Sequence, residues 1–361
     1  MKNYLHKYKN KKILITGHTG FKGSWLTSWL AHLGANIIGV SNSIPTKPSN
    51  YEASNIKSML QIEYKYDITD KEKIAQIIKD HKPDFVFHLA AQSLVRESYL
   101  NPIKTFSTNV IGSINILDSL KNIDKQMSVI MITSDKVYRN YESNKPFSEN
   151  DVLGGDDPYS ASKGMAEIAI RSYYESYFKN NKNIRLGIGR AGNVIGGGDW
   201  ASDRIIPDVI KSWQKKTDLT VRSPNSIRPW QHVIEPLSGY LKLGLKIDEN
   251  LEINGEAYNF GPENRSQYKV KDVLNLISKH LNNFKWSEST GSYEKFHEAK
   301  LLTLDHNKAY EHLDWSPLLS FYDSVKLTCE WYKMYYSDDY SDMNDLNIKQ
   351  INEYEKLGAK S

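Results

Sequence analysis

Ile13-Leu14-Ile15-Thr16-Gly17-His18-Thr19-Gly20-Phe21-Lys22-Gly23 decides the fold of this 361-residue chain. A short apolar run too dense to be half-exposed enters a loop with a glycine at every third position. Apolar residues spaced by three and four then follow from Gly23 to Leu33. The order is buried strand, tight turn, helix. Glycines belong where a side chain would keep backbone N–H groups away from a bound phosphate, and the helix start behind them favours negative charge. Gly17, Gly20 and Gly23, with Thr19, Phe21 and Lys22 between them, therefore predict the pyrophosphate site of a dinucleotide.

Outward from this loop the same alternation repeats. Ile37-Ile38-Gly39-Val40, Phe85-Val86-Phe87, Val129-Ile130-Met131-Ile132 and Arg185-Leu186-Gly187-Ile188-Gly189 read as buried strands. Lys71 to Lys79, Pro102 to Leu120 and Pro158 to Phe178 read as helices between them. The pattern predicts an α/β fold: a doubly wound parallel (Rossmann) sheet with a smaller α/β C-terminal substrate-binding lobe. Residues 1–193 are assigned to the Rossmann domain, with a returning segment near 229–248, and residues 194–361 mainly to the second lobe. Irregular connections are expected at Gly196-Gly197-Gly198 and around Pro224 and Pro229. Lys269 to His280 and Ser324 to Tyr335 look helical, and the polar tail after Tyr336 is expected to be a surface helix or a frayed end.

Composition narrows the function classes. With 39% hydrophobic and 25% charged residues the chain is rich enough in apolar groups to fold throughout. A net charge of +4 over this length is too dilute for a nucleic-acid footprint, and no run approaches a membrane span. Met1 to Asn10 carries no apolar signal segment, and the single Cys329 excludes an intrachain disulfide. These features predict a cytoplasmic protein. His88, His232 and His306 match no ligand spacing, so no metal is expected.

The second feature with chemical content is Tyr159-Ser160-Ala161-Ser162-Lys163, just after Asp157 as N-cap and Pro158 at the first helical position. Four residues apart, the phenol and the ammonium share one helix face, where Lys163 would stabilise a Tyr159 phenolate able to accept a proton. On an arbitrary helix this spacing is ordinary amphipathic decoration, and the glycine loop upstream favours the chemical reading. The end of the second strand reads Val40-Ser41-Asn42-Ser43, with neither an acidic ligand for a ribose nor an arginine for a 2′-phosphate. NAD is favoured over NADP. Asp67 offers an acceptor for the adenine amino group, the plainer alternative being a surface loop aspartate.

Together these motifs resemble the extended short-chain dehydrogenase/reductase family, over most of the chain. His88-Leu89-Ala90-Ala91-Gln92, Thr108-Asn109-Val110 and Thr133-Ser134-Asp135 resemble further landmarks of that family. The resemblance implies NAD contacts from Ser41, Asp67, Ile68, Leu89, Ala90, Ala91, Gln92, Asn109, Thr133, Tyr159 and Lys163, with Ser134 holding the reacting hydroxyl. Sugar-nucleotide 4,6-dehydratases within it carry Thr-Asp-Glu where this chain has Ser134-Asp135-Lys136. That lysine, with Gly17 to Trp25, Ala91 to Arg96, Gly192 to Trp200 and Arg228 to Val233, is similar to the branch acting on CDP-glucose.

The implied reaction is oxidation at C4 of the hexose, loss of water across C5 and C6, and return of hydride to C6. Asp135 is the implied acid and Lys136 the implied base, unless the two form a structural salt bridge. Arg204 and Arg228, whose planar forks suit phosphate oxygens, are assigned to the diphosphate, with Asn193 beside them and Gln92 and Arg96 on the sugar side. Trp200 and Trp230 are expected to pack. The resemblance also implies a homodimer or homotetramer built on the helices of residues 102–120 and 158–178, and a deoxysugar product used in surface polysaccharide. Another sugar-nucleotide 4,6-dehydratase or a 4-epimerase on the same scaffold remains open, the latter needing no acid beneath C6. A non-catalytic NAD-binding protein is the alternative of a different class.

Overall fold

The computed structural model describes residues 2–141, 145–263, 268–289, 302–337 and 342–359. Strands β1 (Lys12–Thr16), β2 (Asn36–Val40), β3 (Ile62–Tyr64), β4 (Phe85–His88), β5 (Met127–Ile132) and β6 (Ile184–Ala191) form one parallel sheet with the strand Ala257–Phe260. The order is Ala257–Phe260, β6, β5, β4, β1, β2, β3. From β1 the chain builds outward through β2 to β3, then returns to lay β4 on the other side of β1. Ligands bind outside the carboxyl ends of the strands at such a reversal, where two loops part. The glycine loop lies there because it follows β1.

Helices cover both faces, so the strands read as nearly unbroken apolar runs. Ile13, Ile15, Trp25, Leu237 and Tyr240 pack on one face, beneath helices Phe21–His32 and Ile234–Glu249. Leu14, Val86, Val129, Ile116 and Ile170 pack on the other, beneath helix Lys71–His81 and the helical stretches 102–120 and 158–178. Truncating one of these fully buried aliphatic side chains to alanine costs about 2–5 kcal/mol. Each of the two long stretches contains a π turn, Ser107–Ile111 and Tyr174–Phe178.

Beyond β6 the chain leaves the sheet and returns to it. Helix Ile205–Lys215 is followed by Leu219–Val221, which pairs in parallel with Trp286–Glu288. Ile227–Arg228 pairs with Tyr268–Lys269, and Gln231–His232 with Val194–Ile195. Two parts of the C-terminal half depart from the sequence expectation. Ala257–Phe260 joins the sheet edge at β6, register Ala257 to Ile188, although its alternation is too weak to announce a strand. The tail is not a surface appendage: helix Met343–Leu357 packs on helix Phe21–His32. Trp29 donates to Glu355 (2.8 Å), Trp331 to Asn347 (2.8 Å) and Tyr354 to Glu235 (2.6 Å), all buried. This docking face is largely polar, so hydrophobic periodicity does not reveal it. Among the described residues no helix is long and apolar enough to cross a membrane.

Candidate active site

A cleft of about 1950 Å³ opens along the carboxyl edge of the sheet and is lined by the glycine loop. Gly17 adopts φ +79°, and a Cβ there would lie 2.8 Å from the Ala90 nitrogen. A Cβ on Gly23 would sit 2.1 Å from the Gly17 carbonyl oxygen. Gly20 caps helix Phe21–His32 without any side-chain hydrogen bond, which leaves first-turn N–H groups directed to the cleft. This cradle fits a pyrophosphate. The neighbouring wall comprises Thr19, Phe21, Lys22, Ser41, Asp67, Ile68, Leu89, Ala90 and Ala91. Thr19 donates to the Ser43 carbonyl (2.7 Å), and the Ser41 hydroxyl meets His18 Nδ1 at 3.2 Å. Asp67 accepts from Asn42 (2.7 Å) and from both the backbone N–H and the hydroxyl of Thr69. Burial alone would raise the Asp67 pKa, but these bonds outweigh it and hold the carboxyl below its ordinary range.

The helix that begins at Pro158 contributes Tyr159 and Lys163 to the cleft. The Asp157 carboxylate accepts from the Ser160 N–H at 2.9 Å and fixes the first turn, so Tyr159 and Lys163 face the sheet. Both are buried, at 7% and 6% exposure. Burial pushes the Tyr159 phenol up to about 12, opposed by a hydrogen bond shared with Ser134 and by the charge of Arg204. Burial brings the Lys163 ammonium down to about 8, opposed by Glu167, and its Nζ donates to the Ile132 carbonyl at 3.4 Å. Ser134 donates to Asp135 Oδ1 at 2.8 Å. Burial raises the Asp135 pKa above the ordinary carboxyl value despite the charges of Lys136 and Lys22 and the Ser134 bond. The Lys136 ammonium stands 5.8 Å from the centroid of the Tyr159 ring.

Behind these groups lies a buried network. Glu167, one turn after Lys163, accepts from the Thr133 hydroxyl (3.0 Å) and from Arg190 Nε (3.0 Å) and Nη2. Arg190 Nη1 also donates to the Tyr138 hydroxyl (2.5 Å) and to the Glu149 carbonyl (3.2 Å). One ion pair thus joins the end of β5, the Tyr159 helix, β6 and the segment after Asp135. Asn109 stands behind the cleft wall rather than in it. From the π turn it brackets the Gln92 backbone, accepting from Gln92 N–H (2.8 Å) and donating to the Gln92 carbonyl (3.0 Å), and it donates to Ser162 (2.8 Å). The Gln92 amide is itself engaged by Leu94 and Thr105.

Arg96, Asn193, Arg204 and Arg228 also line the cleft. Arg204 pairs with Asp199 (2.9 Å) and reaches Ser93 (3.4 Å), Arg96 pairs with Asp203 (3.4 Å), and Arg228 Nη1 donates to the Ile227 carbonyl. Trp200 and Trp230 are 4% and 5% exposed and pack in the core, as their type suggests. His88 bridges Thr16 and Ser113 inside the sheet. Among the described residues no group of three histidine, cysteine or acidic side chains is placed to hold a metal ion. Sequence reasoning missed Glu167 and Asp199 and saw Lys22 only as part of the loop, although its charge acts on Asp135. The four-residue spacing from Lys163 was the available signal for Glu167. Asp199 offered none.

Residues 14–328 match the profile of the GDP-mannose 4,6-dehydratase family. A CDP-glucose 4,6-dehydratase from Salmonella typhimurium is 38% identical over 352 residues, covering 96% of this chain and 97% of that protein. Among solved structures, an epimerase from Methanothermobacter thermautotrophicus superposes with a TM-score of 0.78 at 24% identity, covering 92% and 95% of the two chains. A dTDP-glucose 4,6-dehydratase from Bacillus anthracis in complex with NAD superposes with a TM-score of 0.72 at 22% identity, covering 90% and 96%.

Proposed function

This chain belongs to the GDP-mannose 4,6-dehydratase family, and from that membership we propose that it converts CDP-glucose to CDP-4-keto-6-deoxyglucose with NAD as a cofactor that ends as it began. The observation that carries the reading is the Ser134 hydroxyl, hydrogen-bonded both to Tyr159 and to buried Asp135. It brings a proton acceptor for a C4 hydroxyl and a proton donor for a C6 hydroxyl onto one sugar-sized surface. A 4-epimerase has no use for the second group.

Gly17, Gly20 and Gly23 would hold the pyrophosphate of NAD, Asp67 its adenine end, and Leu89 to Ala91 its nicotinamide side. Bound NAD⁺ would supply the hydride acceptor for C4 and, once reduced, the hydride donor for C6. Tyr159 takes the C4 hydroxyl proton, its phenolate favoured by Ser134 and by the charge of Arg204, to which a bound cofactor would add its own positive charge. The resulting ketone acidifies C5–H, and Lys136 takes that proton. Asp135 protonates the departing C6 hydroxyl, which leaves as water, and as C6 is reduced Lys136, exchanged with solvent, returns a proton to C5. Arg204 and Arg228 hold the diphosphate, and Gln92, Asn109 and Thr133 keep the wall in shape. Ile103, Met165 and Ile168 are exposed on the helical stretches 102–120 and 158–178, which supports pairing into a homodimer or homotetramer, testable by sedimentation. We place the protein in the cytoplasm.

The test is incubation of purified protein and NAD⁺ with CDP-, dTDP-, UDP- and GDP-hexoses, followed by the near-ultraviolet absorbance that alkali develops from a 4-keto product. The reading expects that signal with CDP-glucose. A product from another nucleotide sugar alone would overturn the substrate, and a 4-epimer would overturn the reaction.

A further inference from the structure

The substrate reading leaves the base of the nucleotide unassigned, and the cleft has one carboxylate suited to it. The glycine loop, Tyr159, Asp135, Arg204, Arg228, the first turn of helix Ile205–Lys215 and the strand Leu219–Val221 line one cleft. The charge of Arg204 reaches Tyr159, so a diphosphate at Arg204 adjoins a hexose at Tyr159. Asp208, next along the helix from Arg204, lines the same cleft. Arg204 is the N-cap of that helix and the Asp208 N–H donates to its carbonyl at 3.0 Å, which sets the two residues one turn apart.

Asp208 is half-buried and, among the described residues, its carboxylate makes neither a hydrogen bond nor an ion pair. Burial raises its pKa, with Asp203 adding to the rise and Lys211 and Arg222 opposing it. A partly desolvated carboxylate without a donor is unfavourable until a ligand supplies one. Val221, 6% exposed, gives the same pocket an apolar wall against which a flat base can lie.

We propose that Asp208 is a specificity-determining residue that accepts a hydrogen bond from the exocyclic amine of cytosine. Uracil and thymine carry a carbonyl at that ring position, so the carboxylate faces a second acceptor and the two repel. Carboxylates read the cytosine amine in the same way elsewhere in molecular recognition. The inference rests on the CDP-glucose reading and adds its discriminating residue, while Tyr159, Asp135 and Lys136 act on the sugar and are indifferent to the base.

The test compares the wild type with Asp208→Asn, whose amide can turn a donor towards a carbonyl. KM and kcat are measured for CDP-glucose and UDP-glucose, and competitive inhibition constants for CMP and UMP. The expected result is a rise of about ten- to hundredfold in the CDP-glucose KM and the CMP constant. Turnover at saturation stays near that of the wild type, and the preference for CMP over UMP is lost. Asp208→Ala should lose CMP affinity without gaining UMP. Unchanged CMP discrimination in an active, folded Asp208→Asn protein would overturn this role and leave the dehydratase reading intact. A fall in kcat alone would likewise overturn it. A wild type inert to CDP-glucose but active on another sugar nucleotide would overturn the substrate reading itself.

Discussion

Replacing Glu235 with glutamine should stabilise the protein at neutral pH and leave its stability at acid pH almost unchanged. Glu235 lies in the first turn of helix Ile234–Glu249 and is 1% exposed. Its Oε1 accepts from the Leu318 and Leu319 N–H groups at 2.8 and 2.6 Å, and its Oε2 from the Tyr354 hydroxyl at 2.6 Å. Burial lifts its pKa from 4.5 to about 7, even against these three donors. Below pH 4.5 the carboxyl is protonated whether the chain is folded or not. Between 4.5 and about 7 the unfolded chain has released the proton and the folded one keeps it, so stability falls as pH rises through this window. At 1.36 kcal/mol per pH unit, the interval amounts to about 3 kcal/mol. Glutamine keeps an acceptor for the two N–H groups and never ionises. With an unfolding entropy of about 2.1 cal/mol/K per residue over 361 residues, the gain at pH 8 corresponds to about 4 °C in Tm. Thermal unfolding of wild type and Glu235→Gln from pH 4.5 to 8 isolates the effect, because other titrations cancel in the difference. A gap between the two proteins that does not widen with pH would refute the reasoning.

Other perturbations follow from the same geometry. Glu167→Gln leaves Arg190 buried without its carboxylate and should cost about 3–5 kcal/mol in urea unfolding, most of it recovered when Arg190→Met is added; strictly additive losses would deny the coupling. Gly23→Ala places a methyl 2.1 Å from the Gly17 oxygen and should weaken NAD⁺ binding, followed by tryptophan fluorescence, by more than about tenfold, or 1.4 kcal/mol. Wild-type affinity in that variant would mean that the loop does not carry the pyrophosphate. Asn109→Ala removes both hydrogen bonds to the Gln92 backbone and should cost about 1–3 kcal/mol while raising the hexose KM, measured by denaturation and steady-state kinetics. Tyr159→Phe should lower kcat by about 10²–10⁴-fold with little change in Tm.

The parts of the molecule that bury apolar residues at regular spacing were legible from the chain alone. β1, β2, β4, β5 and β6 are dense runs of Ile, Leu, Val and Phe, and only a sheet covered on both faces accommodates them. The glycine loop and the Tyr159 to Lys163 spacing were legible because each imposes a local steric or helical constraint. Ala257–Phe260 was not, since buried Asn259 breaks its apolar character while satisfying Tyr138 and Phe147 through its side chain. Helix Met343–Leu357 was misjudged for a related reason. Asn347, Gln350 and Glu355 sit at its buried face and are made soluble in the interior by hydrogen bonds to Trp331 and Ser54, to Leu327 and to Trp29 respectively. Long-range hydrogen-bond partners have no sequence signature. The same holds for the placement of Asn109 behind Gln92 rather than in the cleft.

The central claim is that one cleft removes hydride from C4, eliminates water and returns the same hydride to C6. It is tested most directly with CDP-[4-²H]glucose in ordinary water and with unlabelled CDP-glucose in D₂O, the products read by NMR. The account predicts a 4-keto-6-deoxyhexose that keeps the original deuterium at C6 in the first experiment and gains solvent deuterium at C5 in the second. Loss of the C4 label to solvent, or a product still bearing oxygen at C6, would contradict it.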